Sequence, residues 1–439
     1  MKHKLTTVAT CLALLYIVSI QAVKSQDSIK KITLKEAIDL SITNSHLLKN
    51  NKAKIDEAIA VTKEATERKL PDVSVSASYL YLPVPPKINL KSNTTGGGGP
   101  KVSQAIYGIL SASLPLYAGG KIKYGIESSK YLEQAAKLDA DDNREGIILN
   151  TISAYSNLYK AQAAVALVKD NLGQSKQRLN DFNNLEKNGL LARNDLLKVA
   201  LQSSNIELTL LDAESNYTLT SVNMALMLGL PEHTILSADS ASLQQTGTIK
   251  TIEEYEALAL NGRKDIGALA LRKKVAEVNI KYVKADYYPS IALTAGYIAL
   301  DVPSFVTITN AINIGVGVKY SLSSLWKTKS KIAQAEARVQ QLSANQDMLN
   351  DNIRLQINQA YQNYLLSNKK IEVYKKAVEQ AAENYRITKN KYNNALATTT
   401  DLLDADVAQL QTQLNVTNAT ADAVVAYNKL LQIAGLLNN

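Results

Sequence analysis

Cysteine is nearly absent from this 439-residue chain, with Cys11 alone, and histidine occurs only as His3, His46 and His233. Cys11 and His3 fall in an opening segment that reads as removable, so the mature chain has no thiol and two histidines far apart in sequence. Disulfide frameworks, Cys/His zinc sites and thiol nucleophiles are excluded, and histidine-based general-base chemistry has no cluster to work from. No catalytic residue, cofactor or metal ligand is expected, and the composition argues against an enzyme. Also missing, past the opening segment, is any uninterrupted apolar run of 18 residues, so no spanning helix is expected. The 49 basic residues are scattered among 40 acidic ones without an aromatic–basic cluster, which speaks against a nucleic-acid partner. What is present, 46% hydrophobic and 20% charged residues, suffices for a buried core.

Met1-Lys2-His3-Lys4 is a positive start, Leu5 to Val23 carries no charge, and small residues (Ala22, Ser25) follow. This is the layout of a secretory signal peptide over residues 1–25. A transmembrane anchor is the alternative, but the most apolar part, Cys11 to Ile20, is short for one.

The remainder is written twice. Leu70-Pro71-Asp72-Val73-Ser74-Val75 returns as Tyr288-Pro289-Ser290-Ile291-Ala292-Leu293, and Ala154-Tyr155-Ser156-Asn157 returns as Ala360-Tyr361-Gln362-Asn363. Asp195-Leu196-Leu197 and Asp401-Leu402-Leu403 correspond, as do Gly229-Leu230 and Gly435-Leu436. The reading is a duplicated domain: a first repeat over 26–230, a connecting segment over 231–250, and a second repeat over 251–439. The first copy carries an additional surface loop, Pro83 to Pro100, containing Gly96-Gly97-Gly98-Gly99.

Within each copy the order is helix, strand pair, very long helix, helix. Lys35 to Lys69 is helical in period and stops at Pro71. Long helices are expected over about 119–187 and 325–393: Lys121 to Glu186 lacks proline, and Trp326 to Tyr392 lacks proline and glycine. At 1.5 Å per residue each makes a rod of roughly 100 Å. Apolar or alanine positions recur at helical spacing (Ile332, Ala335, Val339, Leu342, then Leu349, Ile353, Ile357, Ala360, Tyr364), so such a rod needs other helices beside it.

Strands are expected over about 72–82, 102–117, 290–301 and 306–322. From 306 to 320 the even positions are apolar apart from Asn310, whereas the odd ones are Thr, Ala, Asn, Gly and Lys. Val73, Val75, Ala77, Tyr79 and Tyr81 form such a face, as do Ile291, Leu293, Ala295 and Tyr297, while Ile106, Leu110 and Leu114 mark the weakest strand. A soluble sheet would pack this face on a core, but the helices are needed by one another. An outer-membrane barrel would turn it to lipid and the Ser/Thr/Gly face to water. Tyrosine supplies 22 of the aromatics against two phenylalanines and one tryptophan, and Tyr79, Tyr81, Tyr107, Tyr117, Tyr287, Tyr288, Tyr297 and Tyr320 sit in or beside the strands, as at membrane boundaries. Four strands cannot close a barrel, and three chains would supply twelve.

A signal peptide, a duplicated helix–hairpin–helix unit, four short amphipathic strands and two very long helices together resemble the outer-membrane efflux protein family of TolC-like channels. The most specific local match is the pair of helix–turn–helix tips, Asn188 to Leu196 and Tyr392 to Asp404. The resemblance implies a mainly α fold with a small β part: a long α-helical barrel continuous with a trimeric 12-stranded transmembrane β-barrel. It also implies a homotrimer in the outer membrane extending into the periplasm, a periplasmic adaptor (membrane fusion) protein and an inner-membrane pump of RND or ABC type. The function implied is the exit channel of a tripartite efflux system. A type I protein-secretion duct and a non-channel periplasmic coiled-coil protein are the other readings.

Carried over residue by residue, Asp401 and Asp404 match acidic positions that ring the periplasmic entrance. Three copies would hold carboxylates close enough to raise one another's pKa and to attract cations. Capping of the following helix is the competing role for Asp401, and Asp195 stands at the equivalent place in the first copy. Tyr392 and Asp195 match a hydrogen-bonded pair that helps hold the entrance shut. An arginine that bridges neighbouring protomers in the family is replaced by Ala397, and Arg193 lies on the other tip. The turns Gly189-Leu190-Leu191 and Ala395-Leu396-Ala397 match tips that meet the adaptor, and both place leucine where water is expected.

Overall fold

A computed structural model describes residues 29–86, 102–243, 249–303 and 305–437. The expected signal peptide, and Gly96 to Gly99 of the extra loop, lie outside the described residues. In chain order the elements are β1 (Lys30–Ile32), α1 (Leu34–Asn44), α2 (His46–Glu67), β2 (Asp72–Tyr81), β3 (Gln104–Ala118), α3 (Lys121–Lys187), α4 (Arg193–Leu228), β4 (Leu236–Ala238), α5 (Ile252–Gly262), α6 (Lys264–Lys284), β5 (Ser290–Val302), β6 (Val306–Lys319), α7 (Ser324–Asn393) and α8 (Thr399–Ile433). The described residues form two compact units, one drawn from 29–49, 142–263 and 352–437 and the other from 50–141 and 264–351, and α2, α3 and α7 contribute to both.

The first unit is helical, with a core that gathers Ile32, Ile148, Ile152, Tyr155, Met224 and Leu228. Two three-residue strands, β1 and β4, pair in parallel beside it. Tyr155 fixes them: its hydroxyl donates to the Ile32 carbonyl (2.8 Å) and accepts from the Asp239 N–H (2.8 Å). Its repeat counterpart Tyr361 lies against the buried Tyr255, with ring centroids 6.4 Å apart. The single helical period of Lys35 to Lys69 resolves into two helices broken at Ser45, whose ψ of 120° is not helical. At that break the Asn44 side chain donates to the Leu228 carbonyl (2.7 Å) at the end of α4. Gly229 follows with φ 70°, where a Cβ would sit 2.8 Å from Asn44 Cβ, so both the backbone conformation and the space demand glycine.

The second unit carries a four-stranded antiparallel sheet in the order β2-β3-β5-β6. Its strands run straight into the long helices. Between β3 and α3, Gly119 and Gly120 adopt φ 62° and 91°, and a Cβ on Gly119 would lie 2.6 Å from the Ala285 carbonyl oxygen. The ladders define two faces. Val75, Leu110, Tyr297 and Ile312 make one cross-strand row, and the neighbouring row on the other face is Ser74, Ser111, Gly296 and Asn313. The Ser74 and Ser111 hydroxyls lie 2.8 Å apart across that row.

The sheet corrects the sequence reading of the last strand at one point. Register slips between Ile298 and Leu300, opposite Asn310, whose φ is 60°. The Asn310 N–H donates to the Tyr297 hydroxyl (3.3 Å), which occupies the bulge. A bulge inserts one residue and exchanges the faces beyond it. Val306 and Ile308 therefore pair with Val302 and Leu300 on the polar side, while Thr307 joins Asp301 on the apolar side, its hydroxyl donating to that carboxylate (2.7 Å). The strict even–odd alternation holds only from 311 to the end of the strand. Beyond the Tyr297 row the β5–β6 pair thus puts Asp301 and Thr307 on the otherwise apolar side, in the row of Tyr79 and Ile106.

Neither face of the edge strands is covered. Val75 is 79% exposed, Ile314 77% and Ile312 73%, and the facing Ser74, Ser76, Asn313 and Gly315 are exposed as well. Among the described residues β2 pairs only with β3 and β6 only with β5, leaving two open edges. No helix among the described residues is long and apolar enough to cross a membrane.

Candidate functional site

The expected entrance residues lie on two helix–turn–helix tips in the first unit, and four helices meet behind them. Phe182 of α3, Leu196 and Val199 of α4, and Leu402 and Leu403 of α8 form a small core, with Leu191 and Tyr392 packed against it. The two turns share one geometry. Gly189 ends α3 at φ 70°, and the Leu190 N–H returns to the Leu185 carbonyl (2.9 Å). Ala395 ends α7 at φ 60°, and the Leu396 N–H returns to Lys391 (2.8 Å). This reversal projects Leu190 and Leu396 outward, 74% and 76% exposed. Of the six docking candidates, Gly189 and Ala395 shape the turns, Leu190 and Leu396 face solvent, and Leu191 turns back into the core. Ala397 is half-buried.

Asp401 caps its helix. Its carboxylate accepts from the Thr398 N–H (2.9 Å) and hydroxyl (2.7 Å), while the Asp401 N–H donates to Thr398 Oγ1 (3.2 Å), a reciprocal box. The bond from the Thr398 backbone, and then that from its hydroxyl, favour the charged form and hold the Asp401 carboxyl below the ordinary aspartate value. Replacing Thr398 with Ala removes the hydroxyl bonds but keeps the backbone N–H, so that carboxyl's titration, followed by its 13C shift, is expected to move only part of the way back up. No movement would dissolve the box. Asp404, one turn on, is exposed on the same side of α8, because Leu402 and Leu403 occupy the buried side.

Asp195 departs from the capping role expected of it. The position preceding α4 is Ala192, which has no side-chain acceptor, so the box of the second copy cannot form. Asp195 instead accepts from Lys198 Nζ (3.1 Å) in the first turn. Tyr392 stacks on Phe182, with centroids 5.5 Å apart and planes 8° from parallel. Among the described residues no hydrogen bond joins it to Asp195. Arg193 pairs with Glu186 across its own turn (3.3 Å).

Behind the tips lies a feature that sequence reading missed. Arg178 on α3 and Asp406 on α8 form an ion pair (3.0 Å) with side chains only 9% and 3% exposed. The guanidinium also donates to the Tyr385 hydroxyl of α7 (3.0 Å), and the Asn171 amide reaches the other Asp406 oxygen (3.4 Å). Burial alone would lower the Arg178 pKa, but the hydrogen bond and charge of Asp406 outweigh it and raise the value. The available signal was position: Arg178 continues the seam of Val168, Leu172 and Ser175 toward Phe182, all buried.

The "Outer membrane efflux protein" family model matches residues 37–230 and 257–436, most of the chain. The chain belongs to that family. Outer membrane efflux protein BepC of Brucella suis biovar 1 is 22% identical over 357 residues, 80% of this chain and 77% of that protein. Outer membrane protein TolC of Vibrio cholerae serotype O1 is 23% identical over 404 residues, 88% and 86% of the two chains. The crystal structure of VceC from Vibrio cholerae superposes with a TM-score of 0.74 at 20% identity, over 92% of this chain and 96% of that one. This outer membrane efflux protein is thus a channel component of an efflux system, located in the outer membrane with a periplasmic extension. The family and its structural neighbours are channel proteins.

Proposed function

We propose that three copies of this chain form one continuous duct that receives cargo from a periplasmic adaptor and an inner-membrane pump. The observation that carries the trimer is the uncovered four-stranded sheet with two open edges. Hydrocarbon does not tolerate unpaired strand edges, and four strands are too few to close on themselves. Pairing β6 of one copy with β2 of the next satisfies every edge, and three copies give the twelve strands expected from sequence.

On the two helix–turn–helix tips, Leu190 and Leu396 are the adaptor-docking points, supported by the exposure of a large apolar side chain on each turn. Asp404 and Asp401 line the entrance, with Asp401 also committed to its cap. The ring would raise carboxyl pKa values by mutual repulsion, and Thr398 opposes this at Asp401 by stabilising charge. Tyr392 and Asp195 belong to the same constriction, Tyr392 acting through its stack on Phe182. Efflux is favoured over a structural coiled coil because such a protein has no use for an amphipathic sheet with both faces bare. Purification in detergent tests the reading: a particle of three chains that conducts ions in a planar bilayer is expected, and a monomer soluble without detergent refutes it.

A further inference from the structure

The polar side of the sheet changes character where it meets the helices. Ala118, Ser290 and Lys319 form one cross-strand row there, on the face opposite Tyr117, Ile291 and Val318. All three line a cavity of about 360 Å3. Lys121 at the start of α3 and Lys327 and Lys331 near the start of α7 reach the same cavity. Hydroxyl groups of Ser321, Ser323 and Ser324 add polar partners. Asp286 is the one carboxylate lining it.

The charges are unevenly matched. Asp286 pairs with both Lys121 and Lys331 (2.8 Å to the latter), which fixes those two ammonium groups. Burial works to raise the Asp286 pKa, but the hydrogen bonds from the two lysines outweigh it and hold the carboxyl below its ordinary value. Lys319 and Lys327 have no acidic partner among the described residues. The positive end of the 70-residue helix α7, which begins at Ser324, adds to the same potential.

We propose that this cavity is an oxyanion site on the water-filled side of the barrel root, suited to phosphate- or carboxylate-bearing solutes in transit. The inference rests on the channel reading: if Val318 and Ile291 face lipid, the row of Ser290 and Lys319 faces the pore. Three copies place the lysines around one cross-section. There a low-dielectric wall focuses their field and attracts anions, a sign opposite to that of the acidic entrance. Cargo carrying both charges would meet a favourable group at each of the two sites.

The test uses the full trimer in a neutral planar bilayer under a KCl gradient, with inorganic tripolyphosphate as the probe. Tripolyphosphate is expected to reduce wild-type conductance. In K319Q/K327Q the block should weaken at least tenfold and the reversal potential should move toward cation selectivity. K319R/K327R, which retains the charge, should keep the block within about twofold of wild type, because the attraction is electrostatic. Equal block and selectivity in wild type and K319Q/K327Q would overturn the site while leaving the channel intact. A wild-type protein that does not conduct would overturn both. Lysine-dependent selectivity seen only when phosphatidylglycerol is added would assign the cavity to lipid headgroups and overturn the proposal.

Discussion

Replacing Asp406 with Ala is expected to loosen the helix ends behind the two tips by about 3–5 kcal/mol, the usual cost of stranding one member of a buried ion pair. Arg178 would keep its charge in a site where its side chain is 9% exposed, with only the Tyr385 hydroxyl left to accept from it. The loss should register locally, as faster hydrogen exchange in α3, α7 and α8 near Phe182, Tyr385 and Leu402. The double variant Arg178→Met, Asp406→Leu separates charge stranding from loss of packing, since a well-packed apolar replacement of a buried pair is often neutral. It should recover most of the loss. A single variant with wild-type exchange would show that the pair contributes nothing to holding the tips.

Glutamate at both Leu190 and Leu396 is expected to abolish efflux, measured as toxin sensitivity of a deletion strain complemented with the variant. Both side chains are about three-quarters exposed and belong to turns fixed by backbone geometry, so the fold has little reason to notice the change. Trimers should assemble in normal amount and conduct normally in bilayers, because the lesion lies in docking. Retained efflux with unimpaired growth on the toxin would remove the turns from the adaptor interface. Loss of trimers would relocate the leucines to assembly.

The sequence exposed the long helices and the strand faces because each spans many residues with one period, and a sustained period averages out local exceptions. It missed what depends on a single residue in three dimensions. Asn310 breaks the alternation of β6, yet as a lone polar residue in an apolar row it carries no signature of the Tyr297 hydroxyl that holds the bulge. The strands β1 and β4 are three residues each, too short for alternation to show, and are defined by the hydroxyl of Tyr155. Asp195 and Asp401 occupy matching places in the two repeats. Only Asp401 caps, because Thr398 precedes it and Ala192 stands before Asp195. Arg178 reads in sequence as one more solvated charge on a long helix, and its burial follows from the approach of α8, whose Asp406 lies 228 residues further along the chain.

The central claim, that one face of the sheet meets hydrocarbon and the other water, can be measured residue by residue along β6. Because the mature chain has no thiol, single cysteines at successive positions from 306 to 318 would be spin-labelled in reconstituted trimers, and relaxation by oxygen and by a water-soluble nickel chelate compared. Labels at 312, 314, 316 and 318 should favour oxygen, and those at 313, 315 and 317 the chelate. Beyond the Asn310 bulge the parity should invert, with 307 on the outer side and 306 and 308 toward the pore. Uniform access of the chelate to every position, with no alternation, would contradict the channel.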